Sequence, residues 1–130
     1  MKRRVLLLLL FASFSSQAQQ QRKQPSALRL EVVELRAARE AGRITLDGEV
    51  RNSGTRPLTK VTLLFDLLDA DRKTISRRRG PIEEAVLEPG DSSEFHFYVP
   101  DQARAVEVLV GAEQRGLETE VVKPGPFAIE

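Results

Sequence analysis

Gly48-Glu49-Val50-Arg51-Asn52-Ser53-Gly54 leads into Val61-Thr62-Leu63-Leu64-Phe65-Asp66-Leu67-Leu68-Asp69. Further on, Leu87-Glu88-Pro89-Gly90-Asp91 runs into Ser93-Glu94-Phe95-His96-Phe97-Tyr98-Val99-Pro100. The first piece is a strand ending in an Asn/Gly turn. The second is a long apolar strand ending in an acidic turn. The third is a Pro-Gly turn feeding an alternating strand. Short strands punctuated in this way predict an all-β fold: a seven- to eight-stranded antiparallel sandwich, immunoglobulin/fibronectin-III-like in type.

The pattern extends in both directions. Leu28, Leu30 and Val32 are spaced by two, then Val33 and Leu35 follow in the other phase, which predicts a strand near 28–37 with a bulge or an edge at the slip. Good helix formers from Glu34 to Glu40 leave a helix open for residues 31–40. Ile44, Leu46 and Val50 alternate with Arg43, Thr45, Asp47, Glu49 and Arg51, the signature of a half-buried strand. Gly48 within it signals a bulge or a close backbone approach. The segment 61–69 carries apolar residues in both phases, so it is expected to be the most buried and central strand. The expected core is Leu63, Phe65, Leu67, Phe95, Phe97, Val106 and Val108. Thr74–Arg79 and Leu117–Val122 are the expected sheet edges.

Residues 1–18 read as a signal peptide. Lys2-Arg3-Arg4 precedes an apolar run from Val5 to Phe11, and Ser16-Gln17-Ala18 supplies the small residues of a cleavage site. The run is about half the roughly 20 apolar residues that a membrane-spanning helix needs, so no stable span is expected after its removal. No cysteine follows, which rules out lipoprotein processing. Residues 19–27 read as a disordered polar linker, 28–123 as the β-sandwich domain and 124–130 as a C-terminal tail. The expected address is therefore exported, periplasmic or extracellular. Losing the signal takes Lys+Arg from 20 to 17 against 19 acids, a net charge of −2. No global electrostatic argument for nucleic acid remains. The absence of cysteine removes thiol catalysis, thiolate metal sites and disulfides together.

The order of these pieces resembles the FxLYD family of small extracytoplasmic β-sandwich domains. The resemblance rests on the quoted stretches 48–54, 61–69, 87–90 and Glu94-Phe95, and it spans roughly residues 30–120. The name-giving motif is met at Phe65, Leu67 and Asp69, while Leu68 stands where the family has Tyr. The resemblance implies an all-β fold and an extracytoplasmic address. It implies no catalytic or ligand residues, because the family has no established common activity.

Chemistry is sparse. His96 is the only histidine, it falls on the outward phase between Phe95 and Phe97, and no sequence neighbour pairs with it. Asp66, Asp69 and Asp71 suggest a calcium loop, but the glycine and distal glutamate of such a loop are missing, and turn capping is the better reading. Glu83 and Glu84 point apart, and no serine lies in a nucleophile motif. Arg77, Arg78 and Arg79 read as charge guarding an edge strand and as the expected partner-binding edge. No enzyme, cofactor or metal is expected. The expected function is an exported, non-catalytic module that associates with an envelope or secreted protein or serves as a structural accessory. A small-ligand or glycan-binding module using end loops is the alternative.

Overall fold

The structure is a computed structural model that describes residues 27–130. The expected signal peptide and nearly all of the expected linker lie outside the described residues. The described residues contain no helix, so none is long and apolar enough to cross a membrane. They form ten strands: β1 (Arg29–Glu40), β2 (Arg43–Asn52), β3 (Leu58–Thr59), β4 (Val61–Leu68), β5 (Thr74–Pro81), β6 (Val86–Leu87), β7 (Ser92–Pro100), β8 (Glu107–Gln114), β9 (Leu117–Val122) and β10 (Phe127–Ala128). Residues 31–40 are thus strand. The phase slip read at Val33 is a bulge: register shifts between Val32 and Glu34, and Val33 is turned out to solvent.

The main sheet runs β5-β4-β8-β9-β1-β2-β7, with β10 added to β8, and β3 pairs with β6 as a separate ribbon. All pairings of the main sheet are antiparallel except β1 with β9, where Leu30 stands opposite Val121. The sheet curls until its two ends share one core. Phe65 on β4 meets Phe95 and Phe97 on β7 at ring-centroid distances of 5.7 and 5.6 Å, although three strands separate β4 from β2, the neighbour of β7. The sheet is therefore nearly closed. β5 and β7 flank the remaining seam with no backbone ladder between them. Phe97 bridges it at one point, with its ring packed where a Cβ on Gly80 would come within 2.6 Å. Ser76 Oγ and Gln102 Oε1, 3.2 Å apart, bridge it at another.

β4 lies inside the sheet and is the most continuously apolar strand. Leu63, Phe65 and Leu67 fill the interior, and Leu64 and Leu68 on the opposite phase are buried too. Leu64 sits between Arg79 of β5 and Gly111 of β8, where a long side-chain stem and a missing side chain accommodate it. Val108 and Phe95 are buried as expected. Val106 is not: it lies 40% exposed in the loop before β8, and Ala105 takes the interior place. Phe97 is only partly buried because it sits on an edge strand at the seam.

Two further departures concern pairing. β9, expected at an edge, lies between β8 and β1. Within the segment 124–130, Phe127 pairs with Val108, and Glu130 exchanges backbone hydrogen bonds with the β1 region through Ala37 O (2.8 Å) and Arg39 N (3.0 Å). Asn52 ties the loops at one end. Its Nδ2 donates to Arg56 O at 2.9 Å and Leu87 O at 2.8 Å, and its Oδ1 accepts from Gly54 N at 2.9 Å. Gly48 is a close approach, since a Cβ there would lie 2.3 Å from Glu34 O and 2.6 Å from the Phe95 ring.

Candidate interaction surface at the free strand edges

β5 is one free edge, and it carries all three arginines of the expected partner-binding run. Alternation divides them. Arg77 and Arg79 point to the outer face, and both are neutralised there. Arg77 holds Asp66 through two contacts of 2.6 and 3.0 Å, a bidentate pair whose hydrogen bonds raise the guanidinium pKa above its ordinary value. Arg79 holds Glu113 at 2.6 Å. Arg78, opposite Phe65, points to the inner side of the seam. Its Nε is shielded from solvent and makes no hydrogen bond. An inward-pointing charge on an edge strand discourages another strand from docking there, because the charge would be desolvated.

Asp66, Asp69 and Asp71 do not converge. Asp66 is committed to Arg77. Asp69 Oδ1 accepts the backbone N–H groups of Asp71 at 2.8 Å and Lys73 at 3.0 Å, which caps the turn between β4 and β5. The Lys73 amide, then the Asp71 amide, hold this carboxyl below its usual value. No group of three or more His, Cys, Asp or Glu side chains among the described residues is placed to hold a metal ion.

β7 is the other free edge. His96 faces outward as its phase requires, and it has a partner that the sequence did not reveal: Asp47, directly opposite on β2, whose Oδ1 contacts Nδ1. The imidazole also packs edge-on against Tyr98, centroids 4.8 Å apart. Tyr98 is 51% exposed, and the Arg43 guanidinium lies 3.8 Å over its ring. Asp47, His96, Tyr98 and Arg43 thus form one connected group along the outer face of β2 and β7. Beside β7 opens a cleft of about 590 Å³. Pro81, Ile82 and Glu83 form one wall, and Glu94, Phe95 and Phe97 the other. Glu84 lies just beyond the first wall and contacts the hydroxyl of Ser93.

Sequence reasoning missed this group because it is assembled by register. Alternation places Tyr98 and His96 outward, but only the pairing of β2 with β7 sets Asp47 opposite His96 and brings Arg43 near Tyr98.

No family model matches the sequence, and no curated protein matches it. Among solved structures, the chain is similar to part of a β-glucuronidase from glycoside hydrolase family 2, with a TM-score of 0.52 and 11% identity. That likeness covers 70% of this chain and 12% of the glucuronidase, so this chain spans a small fraction of that protein's length, and it concerns the fold alone. IrmA from Escherichia coli aligns with 82% of this chain and 92% of its own at TM-score 0.43 and 9% identity. Pseudomonas fluorescens alkylpurine DNA glycosylase AlkC, bound to DNA containing an abasic site analog, aligns with 81% of this chain and 31% of its own at TM-score 0.44 and 12% identity.

Proposed function

We propose that the protein is an exported, non-catalytic β-sandwich module of immunoglobulin/fibronectin-III-like type, related to the FxLYD domains, that associates with another envelope or secreted protein. The observation that carries this reading is Tyr98 on the free edge of β7, exposed yet held between the Arg43 guanidinium and the His96 ring. Tyrosine and arginine are the side chains that most often dominate protein interfaces. A ring already held in place loses little further conformational entropy on binding. The one histidine is engaged by Asp47 and packs against the same Tyr98 ring, which makes it part of this surface.

The experiment is crosslinking and pull-down of the native protein from its host envelope, alongside a Tyr98→Ala variant. One or more specific partners should be recovered and should be depleted by the substitution. Equal recovery by both proteins, or none by either, overturns the reading. N-terminal sequencing of the same material should show a start near Gln19, and recovery of chain beginning at Met1 from the cytosol overturns the export assignment. The second reading, a small-ligand or glycan module, is favoured by the cleft beside Phe95 and Phe97, whose walls combine rings with the carboxylates of Glu83 and Glu94. Saturable binding of a soluble sugar that shifts the signals of Phe95 and Phe97 would move the assignment to that reading.

A further inference from the structure

The outer face of β1, β2 and β7 is laid out in cross-strand rows, and one row breaks the rule that the others follow. Glu31 stands opposite Arg51, Arg36 opposite Asp47 and then His96, and Glu40 opposite Arg43. Each of those rows sets opposite charges side by side. The remaining charged row is Glu34, Glu49 and Glu94, each directly opposite the next. Like charges directly opposite destabilise a sheet. The basic side chains that flank the row along each strand do not relieve them. Arg51 is bound to Glu31 at 2.8 Å, Arg36 reaches Glu130 at 3.4 Å, and His96 is bound to Asp47. None of Glu34, Glu49 and Glu94 forms an ion pair among the described residues.

The row ends at Glu94, on the strand whose far side has no ladder partner. Glu34, Glu83 and Glu94 also line the cleft over Phe95 and Phe97. The other free edge contrasts in each respect: the outward charges of β5 are neutralised internally, and Arg78 obstructs its inner side. From this difference we infer that β7 is the docking edge, and that it takes an extended, cationic segment of a partner protein as an added strand. This inference rests on the association reading above. The N–H and C=O groups of β7 that face the cleft, on the Glu94 side of the point where Phe97 closes on Gly80, supply the ladder. Side chains of an added strand alternate between faces. Those beside Glu94 extend the acidic row and are Lys or Arg. Those on the other face lie over Phe95 and Phe97 and are apolar.

The test is a titration of the isotope-labelled protein with a synthetic eight-residue peptide alternating lysine and valine, read by amide chemical shifts. Saturable shifts should be confined to Ser92–Pro100 and to the Glu34 and Glu49 region. A peptide with glutamate in place of lysine should not bind. Glu94→Lys should weaken binding by at least about tenfold, since it sets like charges against each other at the docking edge. A second variant, Glu49→Gln, should weaken it less and keeps the test valid if the first perturbs the strand. Absence of binding, shifts centred on β5, or equal binding of the glutamate peptide overturns the inference. So do shifts at β7 that grow with protein concentration alone, which would assign the edge to a second copy, or the same shifts from Ca²⁺ alone. If Glu94→Lys leaves the crosslinked partners unchanged while Tyr98→Ala removes them, association stands and this edge assignment falls. If no partner is recovered at all, the association reading itself falls.

Discussion

Asn52 Nδ2 donates to the carbonyl oxygen of Leu87 at 2.8 Å, a contact that joins the end of β2 to the short β6 across 35 positions of sequence. Both residues are almost fully buried, so neither group has water as a substitute. The backbone of Asn52 adds a second tie, accepting from Gly90 N at 2.8 Å and donating to Asp91 O at 2.9 Å. Asn52→Ala leaves the Leu87 oxygen and the Gly54 amide without this partner. It should cost about 1–3 kcal/mol for each buried group that stays unsatisfied. Urea denaturation measures this, and an unchanged midpoint would show that water reaches the site.

Phe65→Ala should cost about 3–5 kcal/mol, because the ring is buried and holds the two ends of the curled sheet together through Phe95 and Phe97. A domain without disulfides has about 5–15 kcal/mol in total. The variant should therefore melt far below the wild type. A melting temperature within a degree or two of wild type would mean that the rings repack without loss.

Much of this architecture is legible in the sequence. The two-residue alternation in 43–51 and 93–99, the doubly apolar 61–68 and the phase slip at Val33 each report directly on the backbone, since side chains on a strand alternate. What escaped depends on pieces distant in sequence. Nothing in Leu117–Val122 announces that a strand with exposed Leu117 is enclosed between β8 and β1. Val106 matches the spacing of Val108 and Val110, yet it precedes the ladder and faces solvent. The site was less legible still. Glu34, Glu49 and Glu94 are unremarkable alone and become a row only through the register of three strands. The arginine run stands out by composition, although two of its three members are spent on Asp66 and Glu113.

Glu49→Thr should stabilise the free protein by about 0.2–1 kcal/mol, because it removes the middle carboxylate from between Glu34 and Glu94 and places a β-branched residue on a strand. The gain should shrink in high salt, which screens the repulsion between exposed charges. Thermal melts at low and high ionic strength provide the measurement. Destabilisation at both would show that the row is not a source of strain.

Stability should fall in acid through two carboxylates. Glu31 is held below its ordinary 4.5 by side-chain hydrogen bonds from Arg51 and then Lys123. Asp69 is held below 3.8 by the backbone amides of Lys73 and Asp71. Both groups bind protons less tightly folded than unfolded. Their contribution is complete above the ordinary values and is lost as pH falls through the lowered ones. Tm should hold steady above about pH 5 and decline below it, and Glu31→Gln should flatten the decline. A decline that begins near neutral pH would point to other groups.

Residues 121–130 complete β1: Glu130 is hydrogen-bonded with Ala37 and Arg39, and Val121 lies beside Leu30. A ribosome delivers β1 before the strands that flank it, and β1 keeps one flank open until β9 and residues 127–130 have emerged. Synthesis and completion therefore run in opposite order within this sheet, and the first of the described strands is among the last to be enclosed. Pairings between such distant segments belong to topologies that fold in about milliseconds to seconds rather than microseconds. β1 is consequently committed to an open flank until residues 117–130 have been made.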